Sequence, residues 1–330
     1  MIRFLRTSLP YLTNQNACRT ADTSAQPPPT RRKGQGKYQT RTRPLTPYLL
    51  LTPIILLLAL TLVIPELLAL AYSFSRYTLG EPPHFIGVDN YITILQSRDF
   101  WRSSALTLIF VVATVLGQLV LGLLFTLLIN RDFIFKNAVI CILISPFAIS
   151  PAAAAVMWKT LLSTDFGLVN YMLTGLGYRM ADFPWFTHPQ LALLAIILVD
   201  IWMYTPIAFF LLYAAMRGLP REPFDAAAVD GASAWQQVRY LTLPMIWPAV
   251  LVTVVFRTVF AIRSFGQIYV LTGGGPGRAT DVLALYLYRH AFRYFDFGTA
   301  SAIAWIMLLF AVVLTAGFLR RLHKSMHEAA

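Results

Sequence analysis

Along most of this chain, apolar residues do not alternate with polar ones at the period of a strand or a half-buried helix. They run almost unbroken for roughly twenty residues at a time, then give way to short polar stretches. Six such runs lie near residues 48–74, 104–129, 138–158, 189–214, 248–271 and 298–319. At 1.5 Å of helical rise per residue, each is long enough to cross a hydrocarbon core about 30 Å thick. The pattern predicts an all-α membrane protein with six transmembrane helices.

An even number of spans puts both ends of the chain on one side. The polar stretches 75–103, 159–188 and 272–297 then face one way, and the turn 130–137 and the segment 215–247 face the other. Positive charge orients the set. Residues 1–44 carry nine of the 27 Lys and Arg, three consecutive prolines and a single acid, Asp22, and Arg320, Arg321 and Lys324 follow the last run. Both termini are therefore expected in the cytoplasm, although without residues 1–44 the two sides carry eight basic residues each. The domain plan is a disordered basic tail (1–44), a six-helix transmembrane domain (45–320) and a short cytoplasmic tail (321–330).

Composition removes several classes. With 57% hydrophobic and 13% charged residues the chain reads as a membrane protein. A net charge of +12 would fit nucleic acid, but the excess sits in the first 43 residues, so no nucleic-acid partner is expected. That segment has no apolar stretch of signal-peptide type. It faintly resembles a transit peptide and better fits a tail lying on anionic membrane lipid. Cys18 and Cys141 make no metal or redox spacing. There is no G-x-x-x-x-G-K-[ST] loop, no H-E-x-x-H and no G-x-S-x-G, and no histidine lies beside a nucleophile in sequence. No catalytic residue, metal site or cofactor is expected in this chain, and energy for uphill movement would come from elsewhere.

Polar residues inside the runs cost energy and call for a role. Glu66, Asp200, Arg257 and Arg263 are the four charges there; Asp200 and Arg257 are placed to pair across helices. Spacing puts Asp200 with Tyr204, and Arg263 with Gln267, on shared helix faces. Two readings stand: a polar pathway through the bundle, for which Asp200, Trp202, Tyr204, Arg257, Arg263 and Gln267 are the candidates, or a structural ion pair. Trp101, Trp158, Trp185 and Trp247, near run ends, read as interfacial anchors.

The only long weakly apolar segment on the cytoplasmic side between apolar runs is Glu222 to Pro244, EPFDAAAVDGASAWQQVRYLTLP. Pro223 suits a first helical position and Asp225 a first turn, where the dipole favours an anion. Gly231 stops that helix. Ser233 and Gln236 have the spacing of a capping box, predicting a second helix that runs until Pro244 limits it. The product is a helix–glycine–helix elbow.

This elbow resembles a known motif. Asp225-Ala226-Ala227, three residues, Gly231, nine residues and Leu241-Thr242-Leu243-Pro244 are similar to the EAA loop of binding-protein-dependent ABC importer permeases, with Asp225 where that family has Glu and Leu241 where it has Ile. FIGVDNY at 85–91, SPFAISPAAAAVMWKTLL at 145–162, FGLVNYML at 166–173 and LTGGGP at 271–276 followed by Thr280 resemble the maltose-type carbohydrate branch. The likeness implies the type I importer permease fold, with 217–244 as a cytoplasmic coupling loop. It implies ATPase coupling through Asp225, Ala226, Ala227, Ala228, Asp230, Gly231, Ala232, Leu243 and Pro244. It also implies a second similar permease, two copies of a cytoplasmic ATPase that bind ATP and Mg, and a solute-binding protein outside, in a bacterial or archaeal cytoplasmic membrane. The expected cargo is a sugar or oligosaccharide; glycerol-3-phosphate or a polyol is the alternative, and an ion-coupled secondary transporter the rival of another class.

Overall fold

The computed structural model describes residues 46–131, 133–177 and 183–328. The predicted tail 1–44 lies outside these residues, as do 329–330. Among the described residues, regular structure is helical apart from one small ribbon and an isolated bridge between Thr78 and Asp296. Among the described residues, five helices are long and apolar enough to cross a membrane, or six if one sharply bent pair counts as a single span.

The first span joins helix α1 (Thr46–Leu58) to α2 (Ile64–Ser73) through a π-helical turn, Ala59–Val63. Proline explains the turn. Pro65 has no N–H to donate and its ring crowds the carbonyl four residues back, so the wider turn just before it relieves both problems. A two-stranded antiparallel ribbon follows, β1 (Ser75–Arg76) on β2 (His84–Phe85), with Ser75 opposite Phe85. The Asn90 amide in α3 (Asp89–Gln96) donates to the carbonyls of Ser73 and Ser75, both at 2.9 Å, which ties the ribbon down.

Helices α4 (Arg98–Ile129) and α8 (Pro189–Arg217) form the centre of the bundle. They meet through small residues. A Cβ added at Gly122 would sit 2.9 Å from Ala208 Cβ and 2.9 Å from the Phe209 amide nitrogen. Where lipid competes on equal terms with side chains, close backbone approach of this kind is what holds helices together.

The third run is not one straight helix. It is α5 (Lys136–Ala148) and α6 (Pro151–Leu161), bent by 101°. Pro151 forces Ser150 out of the helical region. Ile149 and Ser150 are extended, and the Ser150 hydroxyl accepts the Ala153 N–H at 3.3 Å to start α6. After α7 (Leu168–Gly175), Trp185 corrects its sequence reading: it is buried and donates to Asn170 at 2.8 Å, a packing role and not an interfacial one.

The elbow is α9 (Glu222–Val229) and α10 (Ala234–Gln237). Here a second expectation changes, because Pro244 does not end the helix. A π-helical turn, Val238–Thr242, precedes it as another precedes Pro65, and the chain passes on into α11 (Leu243–Ile262). Ala234–Ile262 is one helical segment of 29 residues. The fifth run also stops sooner than its hydropathy suggests. Arg263 and Ser264 close short i→i−3 bonds to Phe260 and Ala261, and Phe265 leaves the helical region before α12 (Gly266–Leu271).

The loop after α12 is the LTGGGP stretch. Gly273, Gly274 and Gly277 have positive φ. Gly274 has a second reason to be glycine, since a Cβ there would lie 2.9 Å from Leu285 Cδ2. The Thr280 hydroxyl contacts that of Thr272 at 2.7 Å and donates to the Gly275 carbonyl at 2.8 Å. Buried Asp281 pairs with Arg278 and with Arg289 of α13 (Leu283–Phe292), and Arg278 reaches on to Asp99. The last helix, α14 (Phe297–Glu328), runs well past the end of its apolar stretch.

Candidate functional site

Two groups of residues stand out, one at an end of the bundle and one inside it. At the elbow, α9 opens with Pro223 at its N-terminus and both Glu222 and Asp225 in the first turn, where the exposed amides favour anions. Gly231 has φ +76, a left-handed conformation that glycine adopts without strain. It lets the Gly231 and Ala232 amides bond back to Ala228 and Ala227 at 3.1 and 2.9 Å, closing α9. Both halves of the predicted capping box are present: the Gln236 amide donates to Ser233 Oγ at 3.3 Å, and the Ser233 amide donates to Gln236 Oε1 at 2.7 Å.

The predicted coupling residues do not all face outward. Asp225, Ala226, Ala228, Asp230 and Gly231 are exposed, as is Pro244, while Ala227, Ala232 and Leu243 are partly covered. Sequence reading passed over the larger exposed groups beside them: Val229, Trp235 and Tyr240 are 88%, 66% and 67% exposed. Apolar and aromatic side chains left uncovered on a polar loop are surface available for contact. A cavity of about 350 Å³ lies between the two short helices, with Asp230 and Tyr240 on its rim.

Inside the bundle, Asp200 of α8 and Arg257 of α11 do pair, with Nη2 3.5 Å from Oδ1. Around that pair is a network with a member the charges alone did not reveal. Gln118 of α4 donates to Asp200 Oδ1 at 2.8 Å and to the Asp200 carbonyl at 3.2 Å, and its own Oε1 accepts from Arg257 Nε at 2.6 Å. Gln267 of α12 donates to Asp200 Oδ2 and, at 3.1 Å, to Ser264. The guanidinium lies over the Tyr204 ring, 4.3 Å from its centroid. Gln118, Asp200, Arg257 and Gln267 are 0–1% exposed, so four helices meet at a sealed polar clasp. Arg257 Nη1 and Gln267 Oε1 have no hydrogen-bond partner.

The six pathway candidates therefore divide. Asp200, Arg257 and Gln267 are sealed in the clasp, whereas Trp202 and Tyr204 are partly exposed and Arg263 is exposed. Arg263 and Gln267 do not share a helix face, because the chain breaks between them at 263–265. Gln118 was legible as a lone amide within an apolar run, a weaker signal than a charge. Among the described residues no group of three or more His, Cys, Asp or Glu is placed to hold a metal ion.

Comparison with known proteins gives this geometry its setting. Residues 42–328 match the family described as binding-protein-dependent transport system inner membrane component. The chain is 33% identical over 273 residues to the trehalose/maltose transport system permease protein MalF of Thermococcus litoralis, covering 81% of this chain and 90% of that one. It is 33% identical to the sulfoquinovosyl glycerol transport system permease protein SmoG of Agrobacterium fabrum, covering 82% and 88%. Among solved structures it resembles a chain of a bacterial ABC transporter involved in the import of the acidic polysaccharide alginate. That match has a TM-score of 0.74 and 27% identity, over 84% of this chain and 94% of the other. The chain belongs to the family of binding-protein-dependent inner membrane transport components, the permease subunits of ABC importers.

Proposed function

We propose that this chain forms half of a membrane path for a sugar or oligosaccharide, together with a second similar permease. In this reading two copies of a separate ATPase, which bind ATP and Mg, sit against the α9–α10 elbow on the cytoplasmic side. Both termini lie on that side too, and a solute-binding protein delivers cargo from the other. Relatives whose names specify trehalose/maltose and sulfoquinovosyl glycerol favour a sugar. A solved structural relative carries an alginate pentasaccharide-bound periplasmic protein, which favours a binding-protein partner. The family assignment disfavours an ion-coupled secondary transporter.

One observation carries the mechanism: α10, the second half of the exposed elbow, is continuous with the helix that bears Arg257. A partner that grips both short helices thereby holds, through α10, a rod whose far part is fastened into the bundle. Closure of an ATPase pair would then rotate helices as rigid bodies, exchanging which side of the path is open. The ATPase supplies the chemistry; this chain transmits movement and encloses cargo. Within it, Trp202, Tyr204 and Arg263 are the residues proposed to meet solute, and the sealed Asp200, Arg257 and Gln267 are proposed to set the helix positions around it.

The test is Asp225→Lys in the reconstituted complex. Uptake and solute-stimulated ATP hydrolysis are expected to fall at least tenfold, with Asp225→Glu close to wild type; wild-type coupling in the lysine variant overturns the elbow's role. Binding of maltooligosaccharides, glycerol-3-phosphate and polyols to the cognate binding protein then separates the sugar reading from its alternative.

A further inference from the structure

At the elbow end of the bundle, a groove of about 710 Å³ runs between the ends of α4 and α8 and the underside of α9–α10. A water occupies ~30 Å³ in the liquid, so this is room for a sizeable ligand. Its two sides differ in chemistry. Leu124, Leu128, Met216 and Phe224 make an apolar wall, and Leu124 and Leu128 are 47% and 59% exposed on the surface of a span. Among the described lining residues, Arg131, Arg217 and Arg221 make the polar side and Asp225 is the one acid. All three arginines are exposed, and none makes a side-chain ion pair or hydrogen bond among the described residues.

Among the described lining residues three guanidiniums outnumber one carboxylate, and guanidinium groups bind phosphate through paired N–H donors. An apolar wall continuous with lipid-facing leucines suits an acyl chain. A free phosphate would use the first feature and leave the second bare. We propose that this groove binds one anionic phospholipid from the leaflet on the elbow side, its phosphate among Arg131, Arg217 and Arg221 and a chain along Leu124 and Leu128. Occupancy would place lipid directly beneath the surface proposed to meet the ATPase. The site rests on the chain being in a membrane and not on which solute it carries.

The assembled complex, purified in detergent, is titrated with phosphatidylglycerol or phosphatidylcholine, and bound lipid is counted by native mass spectrometry. Wild type is expected to prefer phosphatidylglycerol, and Arg217→Gln/Arg221→Gln to lose about tenfold in apparent affinity for it. Arg320→Gln, an exposed arginine away from the groove, is expected to retain the preference. Millimolar inorganic phosphate is expected not to displace the lipid. Equal retention by wild type and the double variant, no preference between the two lipids, or displacement by phosphate would each overturn the proposal. If the double variant does not assemble, Arg131→Gln supplies the same comparison, with a severalfold loss expected and no loss overturning it. Because lipid is counted directly, the result is independent of transport and of the Asp225 experiment.

Discussion

A buried carboxylate held by two amides, and a buried guanidinium held by one of them, make the Asp200 clasp sensitive to what is removed. Taking away one partner leaves a buried charge without compensation, which typically costs about 3–5 kcal/mol. Arg257→Met in the assembled complex is therefore expected to lower unfolding stability by about that amount. Asp200→Asn combined with Arg257→Met removes both charges and is expected to recover most of the loss. If both variants unfold at the wild-type temperature, the clasp has no structural role. His290 responds instead to pH. It packs edge-on against Tyr286 and Tyr294, with centroids 4.7 and 5.3 Å away, and its Nδ1 is buried without a hydrogen-bond partner. Burial holds its pKa below the ordinary 6.5, Asp296 working against that shift and Arg289 and Arg278 adding to it. An unfolded chain then takes up a proton near pH 6.5 that the folded one refuses, so this residue costs nothing above that pH and destabilises below it. Wild type is expected to lose stability as pH falls through 6.5, and His290→Gln to lose less; identical pH profiles would count against the assignment.

At the scale of elements, the α4–α8 contact separates two glycines that look alike in sequence. A methyl at Gly117 meets Ile201 Cδ1, the far end of a flexible side chain that can turn away. A methyl at Gly122 meets Ala208 and the backbone of Phe209, which can yield only if the helices separate. Gly122→Ala is expected to destabilise by about 1–3 kcal/mol and Gly117→Ala by much less, read from thermal unfolding of the complex. Equal effects would show that the helices are not pinned at Gly122. The helices themselves were largely legible because uninterrupted apolar length is hard to accommodate any other way. What hydropathy could not show were the places where helical hydrogen bonding lapses without a loss of apolarity. The 101° bend has a local signal, Ile149-Ser150-Pro151. The break at Arg263–Phe265 has only a weaker one, Gly266 directly after it, because a lone glycine is tolerated inside helices. Pro244 misled in the opposite direction, because the five-residue π turn Val238–Thr242 just before it absorbs what would otherwise end a helix.

For the whole molecule, the motif spacing of the elbow and the match over residues 42–328 agree on the machine to which this chain belongs. The site was less readable. Charge alone pointed to Asp200 and Arg257, but an amide such as Gln118 completes the clasp only because four helices converge on one point, which is a property of the fold and not of any window of sequence. The same convergence drew Gln267 away from Arg263 and into the interior. The exposed Val229, Trp235 and Tyr240 were hidden for a related reason: nothing local tells an uncovered aromatic from a packed one.

The unbroken helix from Ala234 to Ile262 sets a gear ratio. Roughly 30 Å of rod separates Gln236, near the elbow, from Arg257 in the clasp, so each degree of tilt about the clasp becomes about half an ångström of travel at the elbow. A stroke of several ångströms outside thus needs only a slight rocking where the polar network sits. In the proposed coupling the bundle would stay close-packed around Asp200 while the elbow end of the helix swings, with the short unwound link at 263–265 separating α12 from that movement.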